Sequence, residues 1–100
     1  MSNIVSRYEA FNALKLKYPD VKTLLAVGGW NFGVSKMTAM LRTAQTRAEF
    51  TRSSIEFLRN RTFDGLDLDF EYPADRGSPA EDKGRFTQLV IVREFFFLFN

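Results

Sequence analysis

Asp67, Asp69 and Glu71 stand at alternate positions in the run Phe63-Asp64-Gly65-Leu66-Asp67-Leu68-Asp69-Phe70-Glu71. Side chains of an extended strand alternate between faces, so the three carboxylates share one face and Leu66, Leu68 and Phe70 point to the other. Same-face neighbours lie ~6.5–7 Å apart at their Cα atoms, close enough in a low-dielectric setting for each charge to oppose ionisation of the next. At least one carboxyl is then expected to hold a proton near neutral pH. A protonated carboxyl beside an ionised one is what a general acid for glycosidic cleavage requires. The chain has no cysteine and no histidine. Disulfides, thiolate metal sites, cysteine nucleophiles and histidine-dependent triads are thereby excluded, and acid–base chemistry falls to carboxylates or tyrosines.

Two other readings of the acidic strand compete. It could be the solvated face of an antiparallel sheet, but the neighbouring strand shows no polar alternation and helices interleave with the strands. It could begin a calcium loop, but counting from Asp67 the sixth position is Tyr72, where such a loop needs glycine.

The elements that must position the carboxylates follow from periodicity and breakers. Ser6 is placed to cap a helix over 7–18, in which Tyr8, Phe11 and Leu14 recur, and Pro19-Asp20 stops it. The run from Lys22 to Val27, closed by Gly28 and Gly29, reads as a strand buried on both faces. Ser35 to Leu41 reads as a short helix, and Thr46 with Glu49 matches a capping box for a helix near 47–60. Phe63 to Glu71 is the second strand, Pro73 to Lys83 a loop, and Arg85 to Arg93 a further helix. Strand, helix, strand in this order predicts an α/β fold built on one parallel βαβ unit with a helix on either side.

Gly28 to Ser35 reads G-x-x-x-x-G-V-S, and Val34 stands where a phosphate-binding loop needs lysine, so nucleotide binding is rejected. Taken alone, Gly28 and Gly29 need only allow a sharp exit from the strand. The single tryptophan of the chain, Trp30, follows them directly. That is just beyond the C-terminal end of a strand, where the active sites of β/α barrels sit.

The segment Phe63 to Glu71, continued by Tyr72-Pro73, resembles the catalytic signature of glycoside hydrolase family 18, the chitinases and chitinase-like lectins. Leu24 to Gly33, ending Gly-Gly-Trp-Asn-Phe-Gly, resembles the third-strand motif of the same family, in register with the carboxylate strand downstream. The resemblance implies a partial TIM (β/α)8 barrel covering strands three and four. It implies Glu71 as acid and later base, Asp69 as the carboxylate that orients the N-acetyl group, and Asp67 as its charge partner. Gly28, Gly29, Trp30, Asn31 and Tyr72 would line the sugar cleft. The implied reaction is substrate-assisted hydrolysis of β-1,4-linked N-acetylglucosamine, an exception to the usual two-carboxylate spacing. The family's usual tryptophan is replaced by Phe70, on the face away from the acids, which should touch packing more than chemistry. Glu71 is present, unlike in lectin-like members that have lost it.

At 100 residues the chain has room for one small core, and barrels of this type need ~250 residues. Residues 1–90 are therefore expected to be a partial family 18 barrel and 91–100 a divergent apolar tail. The Phe95 to Phe99 run is uncharged, β-prone and free of proline, the pattern of an aggregation site. Fourteen basic residues against twelve acidic ones are scattered without a run that could follow a phosphate backbone, so nucleic acid is not an expected partner. Residues 89–99 fall short of the ~20 apolar residues that span a bilayer, so no membrane partner is expected either. No signal peptide is visible at Met1 to Tyr8, whereas the resemblance implies a secreted protein. Chitin or chitooligosaccharides are the expected partners, with no cofactor and no metal. An acidity constant raised for Glu71 is expected to need the burial of a closed barrel, and the isolated chain is expected not to hydrolyse chitin.

Overall fold

The computed structural model describes the backbone of residues 2–99 and the side chains of residues 7–91. The elements run α1 (Ser2–Asn12), α2 (Leu14–Lys17), β1 (Leu24–Gly28), α3 (Ser35–Leu41), α4 (Ala44–Asn60), β2 (Gly65–Asp69) and α5 (Asp82–Phe99). β1 and β2 pair in parallel, Leu24 opposite Gly65 through Gly28 opposite Asp69, with α3 and α4 forming the crossover between them. This is the expected βαβ unit, and α3 has its expected bounds.

Several boundaries differ from the sequence reading. The first helix begins at Ser2 and passes through Ser6, then breaks at Ala13 into the short α2. The capping box of α4 is formed by Thr43 and Thr46, each donating backbone N–H to the other's hydroxyl, and not by Thr46 and Glu49. The helix therefore starts one turn earlier, and Glu49 is left on the solvated face to pair with Arg52 at 2.6 Å. β2 is shorter than expected at both ends, because Asp64 turns its carboxylate back to accept from the Thr23 N–H (2.8 Å) and Glu71 lies beyond the ladder. α5 starts three residues before Arg85, at Asp82, and its backbone continues through the Phe-rich segment. The side chains of Phe95 to Phe99, on which the aggregation reading rests, lie outside the described residues.

β1 is not buried on both faces. Leu25 and Val27 pack against the helices, while Leu24 and Ala26 are exposed. A parallel strand is covered on both faces only when further elements flank it, and the sheet here has two strands. Leu24, Ala26 and Gly28 of β1 therefore form, with Asp67 and Asp69, one open face.

The opposite face holds the core. Leu58, Phe63 and Leu66 form one buried cluster and Met37, Leu41, Phe70 and Leu89 another, with Phe50 and Leu68 packed against both. Tyr8 closes the first cluster edge-on against Phe57 and Phe63, at ring separations of 5.7 and 5.8 Å. Phe70 meets Phe86 edge-on at 5.8 Å within the second, so Phe70 does point away from the acids.

The loop between β2 and α5 is held by Asp82, whose side chain is fully buried. Its carboxylate accepts from Ser78 Oγ (2.6 Å), Thr38 Oγ1 (2.7 Å) and Arg85 Nη1 (3.3 Å). Ser78 Oγ in turn accepts from the Ala74 N–H. Burial opposes ionisation of Asp82, but the donors from Ser78, Thr38 and Arg85 outweigh it and hold the carboxyl below the ordinary value. A lowered folded value means that ionised Asp82 stabilises the fold above its unfolded value near 4, and that this contribution is lost as pH falls through the lower folded value. Asp82→Ala leaves the hydroxyl donors and Arg85 unpartnered and is expected to cost about 2–4 kcal/mol. Urea melts at pH 7 and pH 3 check this: the penalty should be larger at the first pH than at the second.

Candidate active site

Both strands end at the same edge of the sheet, so the segments Gly28 to Gly33 and Phe70 to Gly77 rise side by side. Gly28 (φ 110°) and Gly29 (φ 104°) turn the chain out of β1 in the left-handed half of backbone space. A Cβ on Gly28 would overlap the Asp69 carbonyl oxygen and sit 3.0 Å from the carbonyl carbon. The same carbonyl accepts from the Gly29 N–H at 2.8 Å. Glycine at position 28 thus lets the two backbones meet where the carboxylates begin.

Glu71 and Asp69 are both half-buried residues, and their carboxyls interact with each other. Glu71 has its acidity constant raised, first by the hydrogen bond with Asp69, then by burial, then by the Asp69 charge; Arg76 opposes these by a smaller amount. The elevation does not wait for a closed barrel, contrary to the expectation from sequence, because its largest cause is a neighbour on the same strand end. Asp67 stands one step down the open face, exposed, its carboxylate in no hydrogen bond or ion pair among the described residues. The strand therefore brings two of its three carboxylates together and leaves the third apart. Among the described residues no group of three or more acidic side chains is placed to hold a metal ion.

The loops that follow the two strands carry two aromatic rings. Trp30 is 54% exposed and Tyr72 50%, and their rings meet edge-on at 6.4 Å. Both rings therefore stand outside the core, on the loops that follow the two strands. Asn31 is exposed on the same loop as Trp30 and makes no hydrogen bond among the described residues.

Arg76 was not singled out by sequence. It lies in the charged loop after β2, yet its guanidinium sits 3.5 Å from the centroid of the Trp30 ring. Its Nη1 donates to the carbonyl oxygens of Trp30 (3.1 Å) and Glu71 (3.0 Å). Ala74 (φ 64°) and Arg76 (φ 54°) adopt left-handed backbone, which costs roughly 1–2 kcal/mol for each residue bearing a Cβ. The only trace of this turn in the sequence is Gly77 (φ 94°), which completes it.

A parallel strand pair joined by a helical crossover, with carboxyls at the C-terminal ends of its strands, has the arrangement of a segment of a β/α barrel. Residues 2–94 match the family model described as Glycosyl hydrolases family 18, and the chain belongs to that family. Chitotriosidase-1 of Mus musculus is 57% identical over 83 residues, which cover 83% of this chain and 18% of that protein. The oviduct-specific glycoprotein of Homo sapiens is 50% identical over 93 residues, covering 93% and 13%. Among solved structures, the Group IV chitinase of Ostrinia furnacalis in complex with allosamidin superposes with a TM-score of 0.85 at 36% identity, over 92% of this chain and 25% of that one. Human YKL-39, described as a pseudo-chitinase with retained chitooligosaccharide binding properties, superposes at 0.81 and 36% identity, over 96% and 25%. The chain thus spans less than a fifth of these curated relatives and a quarter of these structures. Its fold is part of the barrel that those structures complete. Among the described residues no helix is long and apolar enough to cross a membrane.

Proposed function

We propose that this chain supplies the acid-bearing part of a chitin-hydrolysing site, with chitin or chitooligosaccharides as substrate. The observation that carries the proposal is the interaction of Glu71 with Asp69 at the strand end from which the Trp30 and Tyr72 loops also rise. Glu71, whose proton is retained to higher pH by Asp69, protonates the glycosidic oxygen and later activates water. Asp69 receives the hydrogen bond of the substrate's N-acetyl group as that group attacks the anomeric carbon. Asp67, one step down the same face, is the charge partner of Asp69. Gly28 and Gly29 bring the backbone close to the sugar, and Trp30, Asn31 and Tyr72 line the cleft. Neither a cofactor nor a metal takes part. Residues 1–90 are the barrel portion and 91–100 the divergent tail, and secretion belongs to the proposal on the strength of the family.

A second reading, a sugar-binding protein without turnover, draws support from the same exposed rings and from the pseudo-chitinase to which the chain is similar. Binding by the isolated chain separates the two, because a sugar-binding protein must bind alone and a part of a hydrolase need not. The purified 100-residue chain is expected not to turn over a fluorogenic chitobioside, because positioning the N-acetyl group supplies about 7–11 kcal/mol of such a barrier and needs strands outside this chain. Turnover that vanishes in Glu71→Gln would overturn that expectation. Titration of Trp30 fluorescence with chitooligosaccharides then reports whether the cleft binds without reacting.

A further inference from the structure

Trp30 and Tyr72 belong to different loops, and the Trp30 ring projects 54% exposed from a glycine turn whose own hydrogen bond, Gly33 N–H to the Trp30 carbonyl at 3.3 Å, holds its backbone only. Arg76 supplies the hold. Its guanidinium stacks on one face of the indole at 3.5 Å, and its Nη1 bridges the carbonyl oxygens of Trp30 and Glu71. The arginine itself sits in left-handed backbone, in a turn fastened by the Ala74 N–H to Ser78 Oγ bond and the Ser78–Asp82 bond. The sole tryptophan is thereby tied to the backbone of the acid residue through one planar side chain. Arg76 covers one face of the indole and Tyr72 packs beside it in a T-shaped contact, while the ring as a whole stays 54% exposed and open to a ligand.

We infer that Arg76 is a positioning residue that holds Trp30 by one face and fixes its exposed surface as a platform for an N-acetylglucosamine ring. The ligand half of this inference rests on the sugar-binding reading above; the clamp half does not. Lysine is no substitute, because an ammonium cannot stack flat on the indole while donating to both carbonyls.

The test uses the 100-residue chain, in which all tryptophan emission comes from Trp30. Without sugar, acrylamide quenching should rise about twofold to threefold in Arg76→Gln, and in Arg76→Lys by a smaller amount, with far-UV circular dichroism unchanged. Equal quenching in wild type and variants overturns the clamp. If the glutamine variant loses its dichroism, the lysine variant decides.

Calorimetric titration with tri-N-acetylchitotriose gives the second arm. Arg76→Gln should weaken binding about threefold to tenfold in the wild-type background and not at all in Trp30→Ala. A loss of equal size in both backgrounds means that Arg76 touches the sugar independently of Trp30, and overturns the positioning role. Absence of binding by wild type refutes sugar recognition by this chain, while the clamp still stands or falls on the quenching comparison.

Discussion

Replacing Glu71 by Gln in a complete barrel carrying these two strands is expected to lower chitobioside turnover by about 10²–10⁴-fold, with little change in sugar affinity. Glutamine keeps the length and planarity of the side chain and can still hydrogen-bond to Asp69, so the cleft retains its shape. What it loses is a transferable proton. The raised acidity constant of Glu71, caused first by the Asp69 hydrogen bond, is useful only to a group that donates that proton during bond cleavage. Turnover and binding measured side by side check this: kcat should collapse while the dissociation constant of a chitooligosaccharide holds. Undiminished turnover would remove Glu71 from the acid role and the proposed mechanism with it.

Gly28→Ala is expected to unfold the chain or to destabilise it on the order of 4 kcal/mol, a far larger effect than Gly33→Ala. Both glycines lie at positive φ, 110° and 78°, so both substitutions carry the left-handed penalty of about 1–2 kcal/mol. They differ in what a Cβ meets. At Gly33 nothing lies within 4 Å, whereas at Gly28 the Asp69 carbonyl occupies the space. That carbonyl is backbone in the middle of a hydrogen bond to Gly29 and cannot move without opening the ladder. Thermal melts of the two variants beside wild type provide the comparison. Equal melting temperatures would mean that the close approach of the two strands does not matter to stability.

Much of this arrangement is legible in the chain itself, for identifiable reasons. The short apolar run before Gly28-Gly29 and the D-x-D-x-E pattern mark two strands, and the amphipathic stretch between them demands a helical crossover, so the βαβ unit follows. Phe70 falls on the helix side by alternation alone. The cap of α4 is misread from sequence because Thr43 and Thr46 are equally able to cap, and only the path of the chain after Leu41 selects between them. The exposure of Leu24 and Ala26 is not legible, since an apolar strand does not record how many neighbours flank it. Arg76 and Asp82 escape notice for a further reason. Both sit in a segment whose charges and glycine spell a loop, and their partners, Trp30 and Thr38, lie over forty positions away.

The ladder between the strands is fastened at both ends. At its start Asp64 accepts from the Thr23 N–H and from Lys15 at 3.1 Å, and at its finish the Asp69 carbonyl accepts from Gly29. A one-residue slip of register, ~3.3 Å, would turn every carboxylate to the wrong side of the sheet, and a fastening at each end opposes it twice over. With the register so held, the height of Glu71 relative to Trp30 becomes a machined dimension set by peptide geometry. Reactions that lose about 10²-fold for a 1 Å misplacement need a tolerance of that kind, and here the backbone meets it before any side chain is asked to.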